Sequence, residues 1–262
     1  MAISLVGYSG FIGQQLMKDY GREVGNIYNS KNIKHLGDMA HDTLIIAAPS
    51  ATKWQANKNP KEDLAKVSKL IDALKDVQAK EVIHISTCDV FDYSSKSLNF
   101  ELEDTFSDQP YSKHRKMLED AVKALNFRIL RLPTVYGEGM KKNILFDLIT
   151  KNYDYLDTVN PHNQLQWINV NKIKDIISFA RKGDIKILNC ATQPITNQEI
   201  FDLFKYKSKN YIDKAEIVYD MKTTYNVHNY LMSKKDILED MKEFIYDYSG
   251  IIIRSSWRRK YR

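Results

Sequence analysis

Cysteine is nearly absent from this chain, with only Cys88 and Cys190 among 262 residues. That excludes a disulfide framework, and a thiolate-rich metal centre cannot be assembled. The six histidines, His35, His41, His84, His114, His162 and His228, are scattered without metal-ligand spacing, so no metal is expected. Long apolar runs are also missing, and none approaches the roughly 20 residues that span a bilayer. The opening Met1-Ala2-Ile3-Ser4-Leu5-Val6 carries no basic leader and is interrupted by Gly7 and Gly10. Neither a signal peptide nor a membrane partner is expected, and the chain reads as cytoplasmic. No internal repeat or low-complexity linker divides it.

What is present is ordinary for a soluble globular protein: 43% hydrophobic and 27% charged residues, enough to bury a sizeable core. Of the formal net charge of +6, five positive charges come from the last nine residues, Arg254, Arg258, Arg259, Lys260 and Arg262. The remaining body is almost neutral. Such a tail suits phosphates, an acidic partner or an anionic membrane surface, but the plain reading is a solvated terminus. A nucleic-acid partner is disfavoured, because no strand carries the interleaved aromatic platform it would use.

Along the first half, strand-like runs alternate with helical spacing. Ile3 to Val6 leads through glycines into Ile12, Leu16 and Tyr20; Val24 to Tyr28 follows, then the continuous apolar Thr43-Leu44-Ile45-Ile46-Ala47-Ala48. After Asn59-Pro60, Leu64, Val67, Ile71 and Leu74 share a helical face. Glu81 to Thr87 predicts a strand, Tyr111 to Leu125 a helix and Phe127 to Leu132 a strand. This alternation predicts an α/β fold with a parallel sheet covered on both faces. Beyond Gly139 the spacing predicts helices near 144–150, 171–181, 196–204 and 233–246, with short strands at 186–189 and 216–218. The organisation read here is a dinucleotide-binding domain over 1–140, joined by returns from 170–192, and a small substrate-side lobe with the basic tail over 141–262.

Three glycines in Gly7-Tyr8-Ser9-Gly10-Phe11-Ile12-Gly13 sit between the first strand and the first helix. Glycine there permits a sharp turn and lets a pyrophosphate approach the helix N-terminus, which makes Gly7, Ser9, Gly10, Phe11, Ile12 and Gly13 candidate cofactor contacts. About twenty residues on, where such a fold meets the adenosine ribose, the chain reads Tyr28-Asn29-Ser30-Lys31-Asn32. Without an acidic residue to take the free 2′-hydroxyl, Asn29, Ser30 and Lys31 suit a 2′-phosphate. NADP is favoured here, with NAD as the alternative and a solvated loop lysine as the bland reading.

The G-x-x-G-x-x-G spacing resembles the fingerprint of the extended short-chain dehydrogenase/reductase superfamily, and three further segments resemble its NAD-dependent epimerase/dehydratase branch. Ser86-Thr87-Cys88-Asp89-Val90-Phe91-Asp92 is similar to the stretch that supplies a catalytic Ser or Thr, matched by Thr87. Tyr111-Ser112-Lys113-His114-Arg115 is similar to its Tyr and Lys on one helical face, and Arg131-Leu132-Pro133-Thr134-Val135-Tyr136-Gly137 to its R-x-P-x-V-Y-G loop. The resemblance implies a Rossmann-type fold and a nucleotide-sugar substrate. It gives Tyr111 the acid/base role, and places Pro133, Thr134 and Val135 with Ala47, Ala48 and Pro49 along the cofactor. It also puts Asn143 and Gln166 on the substrate side, and a homodimer through the Tyr111 helix. Asp89, two residues beyond Thr87 and so on the same side if the strand continues, is an additional acid/base candidate on the substrate side.

One position departs from the family pattern: 115 is arginine where the family has lysine. Arg115 keeps a positive charge and donors for the nicotinamide ribose, but it does not deprotonate and its planar fork points differently. Lys113 and Lys116 lie off the Tyr111 face. A non-catalytic cofactor-binding or sensor protein is therefore the competing reading. Each residue also has a structural role open to it: Thr87 to cap the strand end, Tyr111 to start a helix after Pro110, Arg115 to pair with Glu119, and Asn143 to cap a helix.

Overall fold

The computed structural model of the protein describes residues 2–94, 99–102, 105–209 and 216–260, with side chains to residue 248. The elements run β1 (Ile3–Val6), α1 (Phe11–Tyr20), β2 (Val24–Tyr28), β3 (Ala40–Ile46), α2 (Lys53–Lys58), α3 (Pro60–Leu74), β4 (Gln78–Thr87), α4 (Pro110–Val122) and β5 (Phe127–Leu132). After these come β6 (Thr134–Tyr136), α5 (Ile144–Thr150), α6 (Tyr153–Leu156), β7 (Gln164–Leu165), β8 (Trp167–Asn169), α7 (Ile173–Lys182), β9 (Ile187–Asn189), β10 (Ile195–Thr196), α8 (Asn197–Leu203) and α9 (Lys234–Lys260).

Six strands form one parallel sheet in the order β2-β1-β3-β4-β5-β9. Strand side chains alternate between faces, and here both faces are apolar. Leu5, Ile45, Ile83, Ile85 and Leu130 pack with Leu16 of α1 and Ile173, Ile176 and Ile177 of α7. Val6, Leu44, Ile46, Val82 and Ile129 pack with Val67 and Leu70 of α3 and Leu118 and Val122 of α4. This two-sided cover gives the Rossmann-type α/β fold its continuous apolar strands. The strand order reverses between β1 and β3, so a crevice opens beyond their carboxyl ends, at Gly7 and Ala47.

A third apolar cluster lies outside the sheet, where Tyr136, Met140, Leu145, Leu148, Trp167, Phe201, Ile237 and Met241 gather α5, α8 and α9 around β6 and β8. Tyr136 fastens this lobe: its hydroxyl donates to Asp240 of α9, which also accepts from Asn169 at 2.7 Å. Instead of the strand expected at 216–218, a single bridge joins Val218 to Gln164. The next residue, Tyr219, bonds the Gln164 carbonyl through its N–H at 2.9 Å and reaches Asp89 with its hydroxyl. The basic side chains at 254–262 lie outside the described residues, although the backbone of α9 continues helical to Lys260. Among the described residues no helix is long and apolar enough to cross a membrane.

Candidate active site

At the reversal point the glycine turn is built for close backbone approach. Gly7 has φ of +86°, and a Cβ there would lie 2.3 Å from the Ala47 carbonyl oxygen; one at Gly13 would lie 2.1 Å from the carbonyl oxygen of Gly7. Neither position accepts a side chain. Gly10 differs, because a Cβ there meets only the Gly7 oxygen, at 3.3 Å. It is the N-cap of α1, where the N–H groups of Phe11, Ile12 and Gly13 have no partner within the helix. Free donors, an N-terminal dipole and a surface cleared of side chains together fit a pyrophosphate. At the far end of β2, Asn29 is engaged locally: its amide donates to the Tyr8 hydroxyl at 3.1 Å and accepts from the Lys31 N–H at 2.9 Å. Ser30 and Lys31 are exposed, and Lys69 of α3, which the sequence reading missed, reaches the Ser30 carbonyl at 2.9 Å.

Two strands along, β4 ends at Thr87. The strand does not continue as the pleat argument for Asp89 assumed; Cys88 to Val90 form a 3₁₀ turn. Asp89 returns to Thr87 because Thr87 caps that turn, accepting the Asp89 N–H at 3.1 Å, while its hydroxyl faces the Asp89 carboxylate at 3.5 Å. Tyr111 enters the same place from the start of α4, where Pro110 opens the helix and Asn57 accepts the Tyr111 N–H at 2.9 Å. Tyr111 is 2% exposed. Burial pushes its phenol up to about 12, against the lowering pull of the Arg115 guanidinium and the Thr87 hydroxyl.

Arg115 lies on the Tyr111 face of α4, as the four-residue spacing requires, with its guanidinium carbon 4.3 Å from the ring centre. Its fork does not pair with Glu119. It grips Asp63 of α3 with two bonds of 3.0 Å and donates to the Ser50 carbonyl at 2.8 Å. His114 adds a 2.8 Å contact to the same carboxylate. Burial raises the Asp63 carboxyl, but the bonds from Arg115 and His114 outweigh this and hold it below the usual range. Glu119 is taken instead by Arg131, the first residue of the R-x-P segment.

The next residues, Pro133, Thr134 and Val135, follow β5 at the same edge; the Thr134 N–H is spent on the Gln166 carbonyl, at 3.0 Å. Ala47, Ala48 and Pro49 follow β3 beside Gly7. Two substrate-side candidates have structural duties. Asn143 caps α5, accepting the Phe146 N–H at 2.9 Å. Gln166 is 1% exposed, and its amide is saturated by backbone groups of Thr192 and Met221, so it ties the lobe together and does not line a cleft.

Three residues at this edge escaped the sequence. Lys53, the first residue of α2, places its ammonium 2.5 Å from Asp89 and 2.8 Å from the Tyr219 hydroxyl, which itself donates to Asp89 at 3.0 Å. Lys142, held to the Ala51 carbonyl at 2.9 Å, is lowered by burial. The sole hint was a lysine four residues past Pro49. A cavity of about 630 Å³ in the lobe, lined by Lys151, Tyr153, Asp157 and Tyr206 among others, contains none of these groups.

Residues 22–182 match the NAD dependent epimerase/dehydratase family. The chain belongs to this family. No curated protein matches it in sequence, and the similarity to solved members is one of fold. A UDP-N-acetylglucosamine 4-epimerase from Methanobrevibacter ruminantium M1 superposes with a TM-score of 0.71 at 14% identity, over 95% of this chain and 98% of its own. A dTDP-4-dehydrorhamnose reductase from Clostridium acetobutylicum ATCC 824 gives 0.71 at 18%, over 94% and 98%. A dTDP-glucose 4,6-dehydratase from Streptomyces venezuelae, solved with NAD bound, gives 0.70 at 16%, over 95% and 98%. Epimerase, reductase and dehydratase share the fold equally well, so the fold does not select a reaction within the family.

Proposed function

We infer that the protein is an NAD(P)-dependent enzyme of this family that acts on a sugar nucleotide or similar keto or hydroxy compound, with Tyr111 as the acid/base. The observation carrying this reading is the meeting of Tyr111, Thr87 and Asp89 at the sheet edge that also bears the side-chain-free glycine turn. The turn and the N–H groups of α1 would hold the pyrophosphate, and Pro133 to Val135 the nicotinamide end. The nicotinamide, when bound, supplies the hydride chemistry. Tyr111, with a phenol at about 12, is protonated at neutral pH and is ready to give that proton to a substrate carbonyl oxygen, with Thr87 beside it. A screen of keto and hydroxy nucleotide sugars with either cofactor tests this reading.

A second reading, cofactor binding without turnover, draws on one observation: Arg115 is committed to Asp63 and Ser50. Saturable cofactor binding with no turnover across the screen would select it.

For the cofactor, NADP is favoured by the absence of an acidic residue from 28 to 32 and by Lys31 and Lys69 flanking Ser30. The double variant Lys31→Ala/Lys69→Ala is expected to weaken NADPH binding roughly tenfold, about one charge-assisted hydrogen bond, and to leave NADH binding unchanged. Fluorescence titration measures both; equal losses for the two cofactors, or none, would remove the 2′-phosphate assignment.

A further inference from the structure

The charges around Tyr111 do not balance without Lys53. Arg115 lies over the Tyr111 ring, but its positive charge is answered by the Asp63 carboxylate, held bidentately at 3.0 Å. On the other side, Asp89 faces Thr87 and raises the hold of Tyr111 on its proton. Asp63 is spoken for by Arg115 and His114, which leaves Asp89 as the carboxylate at this edge still to be answered. Lys53 answers it, 2.5 Å away, and Tyr219 donates a second bond to the same carboxylate oxygen. Tyr219 is steadied by Tyr93, whose ring centre is 4.3 Å away and whose hydroxyl donates to the Cys88 carbonyl at 3.1 Å.

The contact is built, not incidental. Lys53 and Tyr219 lie 166 residues apart in sequence, yet bond each other at 2.8 Å as well as Asp89. A lysine side chain carries considerable rotamer entropy, and an exposed ion pair seldom repays it. Here the Lys53 and Asp89 side chains are 38% and 20% exposed, so the pair is partly shielded from solvent at the mouth of the site.

We propose that Lys53 is a positioning residue for the acid/base tyrosine: by pairing with Asp89 it holds that carboxylate against Thr87 and offsets the one negative charge that faces Tyr111 at this edge. Lys53 and Tyr219 touch no reacting atom; they fix Asp89, which in turn sets the hydroxyl of Thr87 beside Tyr111. The proposal rests on the reading of Tyr111 as the acid/base, and it adds to Arg115 of α4 a second cation, at the start of α2, that acts through Asp89.

The test needs no substrate. In protein labelled with ¹³Cζ-tyrosine, the Tyr111 and Tyr219 resonances are assigned by their loss in Tyr111→Phe and Tyr219→Phe. The groups facing Tyr111 (Thr87, Cys88, Asp89 and Arg115) and those facing Asp89 (Lys53, Tyr219 and Thr87) are left intact in the labelled parent. At pH 8, Lys53→Met is expected to shift both resonances, while Lys53→Arg, which keeps the charge, leaves Tyr111 near its parent position. A Tyr111 resonance unmoved by Lys53→Met, whether or not Tyr219 shifts, or moved equally by Met and Arg, overturns the proposal. Matching melting temperatures establish that the variants fold. Failure of the enzyme reading shows itself separately, as no NADPH or NADH binding, or binding without turnover across the substrate screen, in the parent protein with the coupling to Lys53 still present.

Discussion

Glu119→Gln is expected to destabilise the protein by about 3–5 kcal/mol, because it strands a cation in the core. Glu119 and Arg131 are 0% and 1% exposed. Their two carboxylate-guanidinium bonds, of 3.0 and 2.8 Å, are joined by one of 2.7 Å from Ser86. Burial pushes the Glu119 carboxyl up; the bonds from Arg131 and Ser86 outweigh it and leave the group below its usual value. A depressed folded pKa means stability that is full above the ordinary glutamate range and lost as pH falls through the lower folded value. The parent should therefore lose more stability on acidification than Glu119→Gln, which lacks this contribution while the other depressed carboxylates, Asp63 among them, remain. Urea unfolding at neutral pH reads the main effect, with a lower midpoint at an unchanged slope. Replacing both partners with apolar residues, Glu119→Leu with Arg131→Met, should recover most of the loss, since no lone charge remains. A single variant as stable as the parent would refute the pairing.

Tyr111→Phe should lower kcat by roughly 10²–10⁴, the usual worth of a positioned acid or base, and leave NADH and NADPH affinities within twofold. The substitution removes one oxygen from a side chain 2% exposed and leaves the ring under Arg115, so the fold and the glycine turn are untouched. With a nucleotide sugar found by screening, steady-state kinetics separates the outcomes. A fall in kcat at constant cofactor affinity places the proton at Tyr111; an unchanged kcat assigns the acid/base elsewhere, with Asp89 the nearest candidate.

Much of the fold was legible because both sheet faces are covered by helices, which leaves unbroken apolar strands such as Leu44 to Ile46 between punctuating glycines and prolines. That the glycine turn follows the first strand was legible for a related reason, since backbone approach is a local property; Thr87 and Tyr111 were picked out by the resemblance, and the structure brings them to one sheet edge. Partners distant in sequence left no such trace. Arg115 had Glu119 within helical reach, yet Asp63, 52 residues away, took it, because Arg131 on the neighbouring strand already held Glu119. Lys53 sits in the six-residue helix α2, too short to show a period, and its partners lie 36 and 166 residues off. The bonds of Asn143 and Gln166 to backbone groups were not legible in the sequence, because an amide serves a ligand and a backbone equally well.

The most direct measurement is fluorescence titration of the purified protein with NADPH and NADH, repeated on Gly10→Asp. A Cβ at position 10 meets only the Gly7 carbonyl oxygen, at a tight 3.3 Å, so a small shift of the turn lets the variant fold, with its carboxylate at the N-terminus of α1 where the pyrophosphate belongs. Saturable binding by the parent, weakened at least about a hundredfold in the variant at an unchanged melting temperature, is the expected result. No binding by the parent, or equal binding by both proteins, would contradict a cofactor site at the glycine turn.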